Sequence, residues 1–301
     1  MRRNTSVLAL LVACTAFVAA ATLPARASSN DPEICRKTSG LIAIAACTRA
    51  IESGTYQGRA LAKLHADRAT EYQNKGELDR AIADHGEALR ADPTYTDSLN
   101  NRGTVWLAKG DYDRAMADFD AMVRLVPNDP DGFSNRGATW KLKGEPDRAI
   151  ADFNEAIRLN PKDPCHFYNR ASVLHDKGDN DRAIADFHEA IRLDPNYAVA
   201  YNNRGLVWSD KRDYDRAIAD YDATIRLQPA FAGAYINRGN AWSRKGDVDR
   251  AIADYNAALR LNPKSATALY LRGLARQKTG DRTGAAADIA AAKRIDPAIG
   301  S

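Results

Sequence analysis

The sequence predicts an all-α solenoid of helix-turn-helix units, and three observations carry that expectation. Proline recurs at Pro93, Pro127, Pro161, Pro195, Pro229, Pro263 and Pro297, every 34 residues. A fixed period of that size marks stacked supersecondary units rather than one globular core. Alanine keeps step with it, at Ala81, Ala115, Ala149, Ala183, Ala217, Ala251 and Ala285. Within each period the apolar residues follow helical spacing: in DRAIADFNEAIRL, residues 147–159, Ala149, Ile150, Phe153, Ala156 and Ile157 fall on one helix face.

The N-terminal segment reads as an address. Arg2 and Arg3 precede an apolar run from Val7 to Ala21, and Ala25-Arg26-Ala27 supplies the small-x-small pattern of a secretory cleavage site. The run is short for a membrane span of about 20 residues, so residues 1–27 are expected to be a signal peptide cleaved after Ala27, leaving a periplasmic or secreted chain. Leu11-Val12-Ala13-Cys14 also fits a lipoprotein box, which would anchor the chain by a lipid on Cys14. The apolar run before Cys14 is short and continues past it, which favours cleavage. Losing three arginines and no acid lowers the formal charge from +4 to +1, too little to gather nucleic acid by a global field.

Residues 28–61 read as a capping helical hairpin. AIAACTRAI, residues 43–51, imitates the second helix of the later units, with Cys47 in the aromatic place. In an oxidising compartment Cys35 and Cys47 are expected to form a disulfide across this hairpin. Cys165 is left unpaired. Ten residues of helix hold it about 15 Å from His175, and His166 and His175 fall on opposite faces, so neither a catalytic dyad nor a metal site is expected, and no cofactor.

Seven units fill residues 62–299. Numbering each so that its proline is position 32, position 8 is small (Gly103, Gly137, Gly205), position 11 is mostly large (Trp106, Trp140, Trp208, Trp242) and position 24 is usually aromatic (Phe119, Phe153, Phe187, Tyr221, Tyr255). A small position between bulky ones lets a neighbouring helix approach closely. Gly76, Gly110, Gly144, Gly178, Gly246 and Gly280 stand between the two helices, suited to a left-handed helix end, while the fifth unit has Arg212 there. Asp or Glu follows as an expected N-cap, and Asp129-Pro130 and Asp163-Pro164 give the cap-then-proline start of a first helix. In the seventh unit the apolar positions 21 and 28 become Ala286 and Lys293, as the last member of a stack requires.

This pattern closely resembles the tetratricopeptide repeat, of an exported bacterial type. The resemblance implies a right-handed superhelix that binds proteins or peptides in its concave groove and carries no chemistry of its own. Two polar rows stand out against it. Arg102, Arg136, Arg170, Arg204 and Arg238 fill position 7, where the family more often has leucine, and Asp118, Asp152, Asp186, Asp220 and Asp254 fill position 23. We read the rows as structural ion pairs between helices, because an arginine fork suits a partly buried carboxylate and an unpaired buried charge is costly. An anion-binding track is the competing reading.

Positions 2, 5, 9 and 12 line the groove in the resembled family. Here they hold Asn100, Thr104, Ser134, Lys141, Tyr168, Ser172, His175, Asn202, Ser209, Asn240, Ser243 and Tyr270. Some of the family clamp a terminal carboxylate with lysine and asparagine at these places; Ala66 and Thr70 stand where the first of each would be. The polar, tyrosine-dotted set suits an extended peptide held by hydrogen bonds and stacking. The expectation is a monomeric, non-enzymatic scaffold or adaptor of the bacterial cell envelope. The alternatives are a self-assembling envelope protein, or an accessory subunit of an envelope enzyme or secretion complex.

Overall fold

The computed structural model describes residues 28–300, so the expected signal peptide and Cys14 lie outside the described residues. Every regular element described is an α-helix, and the chain divides into two compact units, one ending at Pro93 and the other beginning at Thr94. The first unit holds α1 (Asp31–Lys37), α2 (Gly40–Glu52), α3 (Gly58–Asn74) and α4 (Leu78–Ala91). In the second unit the pairs follow the period: α5 (Thr96–Ala108) with α6 (Tyr112–Leu125), α7 (Pro130–Leu142) with α8 (Pro146–Leu159), and α9 (Pro164–Asp176) with α10 (Asn180–Leu193). They continue as α11 (Ala198–Asp210) with α12 (Tyr214–Leu227), α13 (Ala232–Lys245) with α14 (Val248–Leu261), and α15 (Ala266–Thr279) with α16 (Arg282–Ile295). Among the described residues no helix is long and apolar enough to cross a membrane.

The turn between paired helices is set by one residue. Gly110, Gly144, Gly178, Gly246 and Gly280 adopt φ of 76° to 90°, and Arg212 is the one described non-glycine residue with positive φ, at 61°. Asp111, Asp179, Asp213, Asp247 and Asp281 then cap the following helix by accepting a backbone N–H, from Arg114, Arg182, Arg216, Arg250 and Gly284. Glu77 and Glu145 hold the same place without a side-chain cap, since the longer side chain does not close that ring.

Each core is a ring held against a missing side chain. Phe119, Phe153, Phe187, Tyr221 and Tyr255 are fully buried. A Cβ placed on Gly205 would lie 2.7 Å from the Tyr221 ring, and one on Gly103 would lie 2.7 Å from Phe119. Position 8 is small because the ring of position 24 occupies the space.

In the first unit α1 is fastened to α2. Cys35 and Cys47 form a disulfide inside a cluster with Ala46, Ala50 and Leu64, and Arg49 donates to the buried Asp31 at 2.6 Å. The bridge closes a loop of 12 residues, worth about 3 kcal/mol through the unfolded chain. Replacing both cysteines by serine is expected to lower the stability of this unit by about that amount, read by chemical denaturation with and without reductant. Reductant should leave the double variant unchanged.

Candidate functional site

The arginine row is the structure's most regular polar device. Each arginine of position 7 donates through Nε and Nη2 to both oxygens of the position 23 aspartate in its own repeat, at 2.6 to 2.9 Å. The aspartates Asp84, Asp118, Asp152, Asp186, Asp220, Asp254 and Asp288 are buried, so two parallel bonds replace their lost hydration. The free arm reaches the preceding repeat. Arg136 Nη1 donates to Asp120 at 2.9 Å, Arg170 to Asn154 at 2.6 Å, Arg238 to Asp222 at 2.5 Å and Arg272 to Asn256 at 2.7 Å. One side chain thus ties the two helices of a repeat together and then ties that repeat to its neighbour.

Burial and partners compete at these carboxylates, and the balance differs between them. Burial alone would raise Asp84, but hydrogen bonds from Arg68 and His65 bring it below its ordinary value. At Asp220 burial prevails over Arg204 and the carboxyl lies above its ordinary value. A pKa lowered on folding gives stabilisation that is complete above the unfolded value of about 3.9 and is lost as the pH falls through the lowered one. A raised pKa has the opposite sign, so the stabilisation is lost as the pH rises. Asp84→Asn is therefore expected to flatten the loss of first-unit stability below about pH 4, read from melting temperatures across a pH series.

The predicted groove positions lie along the first helices of the second unit, and the structure separates them into two groups. One group is taken up by rungs between repeats and by contacts close to home. Asn135 donates to Asn100 at 2.6 Å, Asn203 to the Tyr168 hydroxyl at 2.9 Å, and Asn237 to Asn202 at 3.0 Å. Lys141 donates to Ser172 at 2.6 Å and pairs with Asp176 at 2.9 Å, while His175 Nε2 meets Asp210 at 2.7 Å. Ser134 faces His166 Nδ1 at 3.3 Å, and Thr104 turns its hydroxyl back to the Asn101 carbonyl at 2.7 Å. Asn202 is only 5% exposed. Tyr270 is half-buried, its ring lying against Gly300 in a cluster with Ile299.

The second group surrounds an open cleft. Ser209, Asn240 and Ser243 line a space of about 1120 Å³ along the C-terminal ends of α11, α13 and α15. Ser209 meets the Tyr221 hydroxyl at 3.2 Å, and Asn240 accepts from Tyr255 at 2.8 Å, so core phenols bond two of the lining side chains and the Tyr255 ring itself lines the cleft. Burial pushes both phenols up to about 12, which keeps them neutral donors. Arg212, Arg244 and Lys278 also line it.

Two sets escaped the groove reading. The asparagines of position 6, Asn101, Asn135, Asn169, Asn203 and Asn237, recur at the full period and supply most of the rung donors; that recurrence was the available signal. Position 13 runs Asp176, Asp210, Arg244, Lys278, a change of sign along the stack that singles out the cleft. Cys165 stays apart from both. Its thiol lies 3.9 Å from the Tyr197 hydroxyl, and desolvation with Asp163 raises its pKa, the opposite of what an activated nucleophile needs.

Sequence profiles described as TPR repeat match residues 171–209 and 244–280, and profiles described as tetratricopeptide repeat match residues 66–130, 130–163, 153–185 and 198–231. No curated protein sequence matches the chain significantly. Among solved structures, a crystal structure of MamA is similar at 30% identity, covering 54% of this chain and 95% of that one, with a TM-score of 0.50. A tetratricopeptide repeat protein from Parabacteroides merdae shares the fold at 20% identity, covering 78% of this chain and 93% of its own, with a TM-score of 0.62. YrrB, described as a TPR protein with an unusual peptide-binding site, shares the fold at 20% identity, covering 62% and 95%, with a TM-score of 0.50.

Proposed function

Because the chain belongs to the tetratricopeptide repeat family, we propose that it is a non-enzymatic scaffold that holds an extended peptide segment of a partner protein in the cleft of its last three repeats. The observation that carries this reading is the contrast within one row of positions. Upstream, the groove-facing polar groups are spent on rungs between repeats; at Ser209, Asn240 and Ser243 they border open space. Its volume exceeds that of most small-molecule pockets, and its walls mix hydroxyls, an amide and tyrosine tips, which suits a peptide backbone. The peptide-binding site that names YrrB belongs to a protein of the same fold, and supports the class of ligand.

The same reading places the protein in the cell envelope. Its support is the leader-like run of residues 1–27 together with a disulfide, which persists in oxidising compartments. A native N-terminus at Ser28, read by mass spectrometry, is the expected result; a lipid on Cys14 would replace that cleavage with an anchor in the envelope, and an intact Met1 would remove this part of the reading.

The binding test is crosslinking with affinity capture from the native source, comparing wild type with Ser243→Trp, which fills the cleft, and with an exposed control, Arg226→Ala. Wild type and control should capture the same protein, and Ser243→Trp should lose it with an unchanged melting curve. Equal capture by all three forms overturns the assignment of the cleft.

A further inference from the structure

Resting on the peptide-binding reading above, we infer that the bound segment is acidic, with two carboxylates that stand opposite Arg244 and Lys278. One rung recurs between successive repeats of the fold. Position 12 of one repeat meets position 13 of the next: Lys141 pairs with Asp176 at 2.9 Å, and His175 with Asp210 at 2.7 Å. A base on the earlier repeat is matched there by an acid on the later one. The next two rungs are Ser209 with Arg244 and Ser243 with Lys278. Here the base has moved to position 13, and a serine stands where its counter-charge would be.

Both cations are exposed, both line the cleft, and neither forms an ion pair among the described residues. Asp210, the one acid of the lining, is already engaged by His175. The fold therefore neutralises this row internally through repeat five and leaves it positive at repeats six and seven.

Arg212 adds an independent pointer. It occupies the left-handed turn position that glycine holds in the other repeats, a conformation with a steric cost for any side chain, and that side chain lines the same cleft. Strain kept at a site is explained when the strained residue serves it, and a third cation in the lining serves an anion.

The remaining walls select among anions. Leu271, Leu274 and Ala275 line the cleft from the same helix, α15, that carries Lys278, so the complementary ligand combines acidic with apolar groups. An extended peptide does this with successive side chains. A nucleic acid instead calls for a basic field across a whole surface, which a formal charge of +1 after residue 27 does not supply.

A random twelve-residue peptide display library, selected on the full chain, tests the inference. The selected peptides are expected to carry at least two acidic residues with apolar residues among them. Measured by fluorescence anisotropy, Arg244→Ser and Lys278→Ser should each weaken binding about tenfold, as loss of one charge-assisted bond does, and the pair about a hundredfold. Glutamine in place of the two acids should have the same effect, while Arg260→Ser/Lys264→Ser leaves binding and melting unchanged. Arg212→Gly should raise the melting temperature and weaken the peptide, a combination that a merely structural residue does not give. Acidic peptides indifferent to Arg244 and Lys278 overturn the inference, as does tighter binding of a dT12 oligonucleotide through the same residues. Neutral peptides that Ser243→Trp displaces overturn it and leave the peptide-binding reading standing. Recovery of no peptide at all removes that reading with it.

Discussion

Replacing Arg204 by leucine is expected to lower the stability of the second unit by about 3–5 kcal/mol, because it leaves the Asp220 carboxylate buried without its counter-charge. Leucine fills much of the space, so the loss is electrostatic rather than a cavity. The partner variant separates the two: with Asp220→Leu added, both charges are gone and most of the loss should be recovered. Peptide binding at the cleft is expected to persist in any molecule that remains folded. Urea unfolding of the two variants checks the first part, and a single variant as stable as wild type would return the row to the anion-track reading. The free arm of the arginine adds a second signature. In Arg238→Leu the contact to Asp222 of the preceding repeat is lost as well, so repeats five and six should open more independently, seen as a lower denaturant slope.

Phe187→Ala is expected to cost about 3–5 kcal/mol, the usual range for emptying an aromatic site in a packed core. Phe187 is fully buried among Ala171, Leu174, Ala190 and Val207. Its ring also supports a neighbour: Tyr168 packs on it at 5.8 Å between centroids and receives the Asn203 rung. The cavity therefore releases a contact between repeats four and five as well as a core. Phe187→Leu, which keeps most of the volume, should lose much less, and hydrogen exchange at α9 and α11 should show the released rung only in the alanine form. Equal losses in the two variants would mean that the site collapses around the smaller side chain.

The helices were legible because each repeat solves its packing problem locally. The apolar positions of DRAIADFNEAIRL, the turn glycines and the following aspartates state the elements and their ends. The arginine–aspartate pairs were legible for a similar reason, since both partners lie in one repeat at a constant separation of 16 residues. The free arm was not, because its acceptor is Asp120, Asn154 or Asp222, a varied residue on the preceding repeat. The same limit applies to the groove. Helical spacing puts Asn202 and Ser209 on one face, but Asn202 is consumed by Asn237 of the next repeat while Ser209 borders open space.

Sequence by itself determined the repeat, its helix pairs, and the residues that end and cap them. Those rest on contacts within about one period, where spacing along the chain dictates proximity. The tertiary structure alone decided which polar positions are spent and which are available. That outcome depends on partners 31 to 35 residues away on a neighbouring repeat, such as Ser172 for Lys141 and Asp210 for His175. A serine or an arginine looks the same in the sequence whether or not a counterpart stands across the stack. Only the stacked repeats show that Arg244 and Lys278 have no acidic counterpart among the described residues.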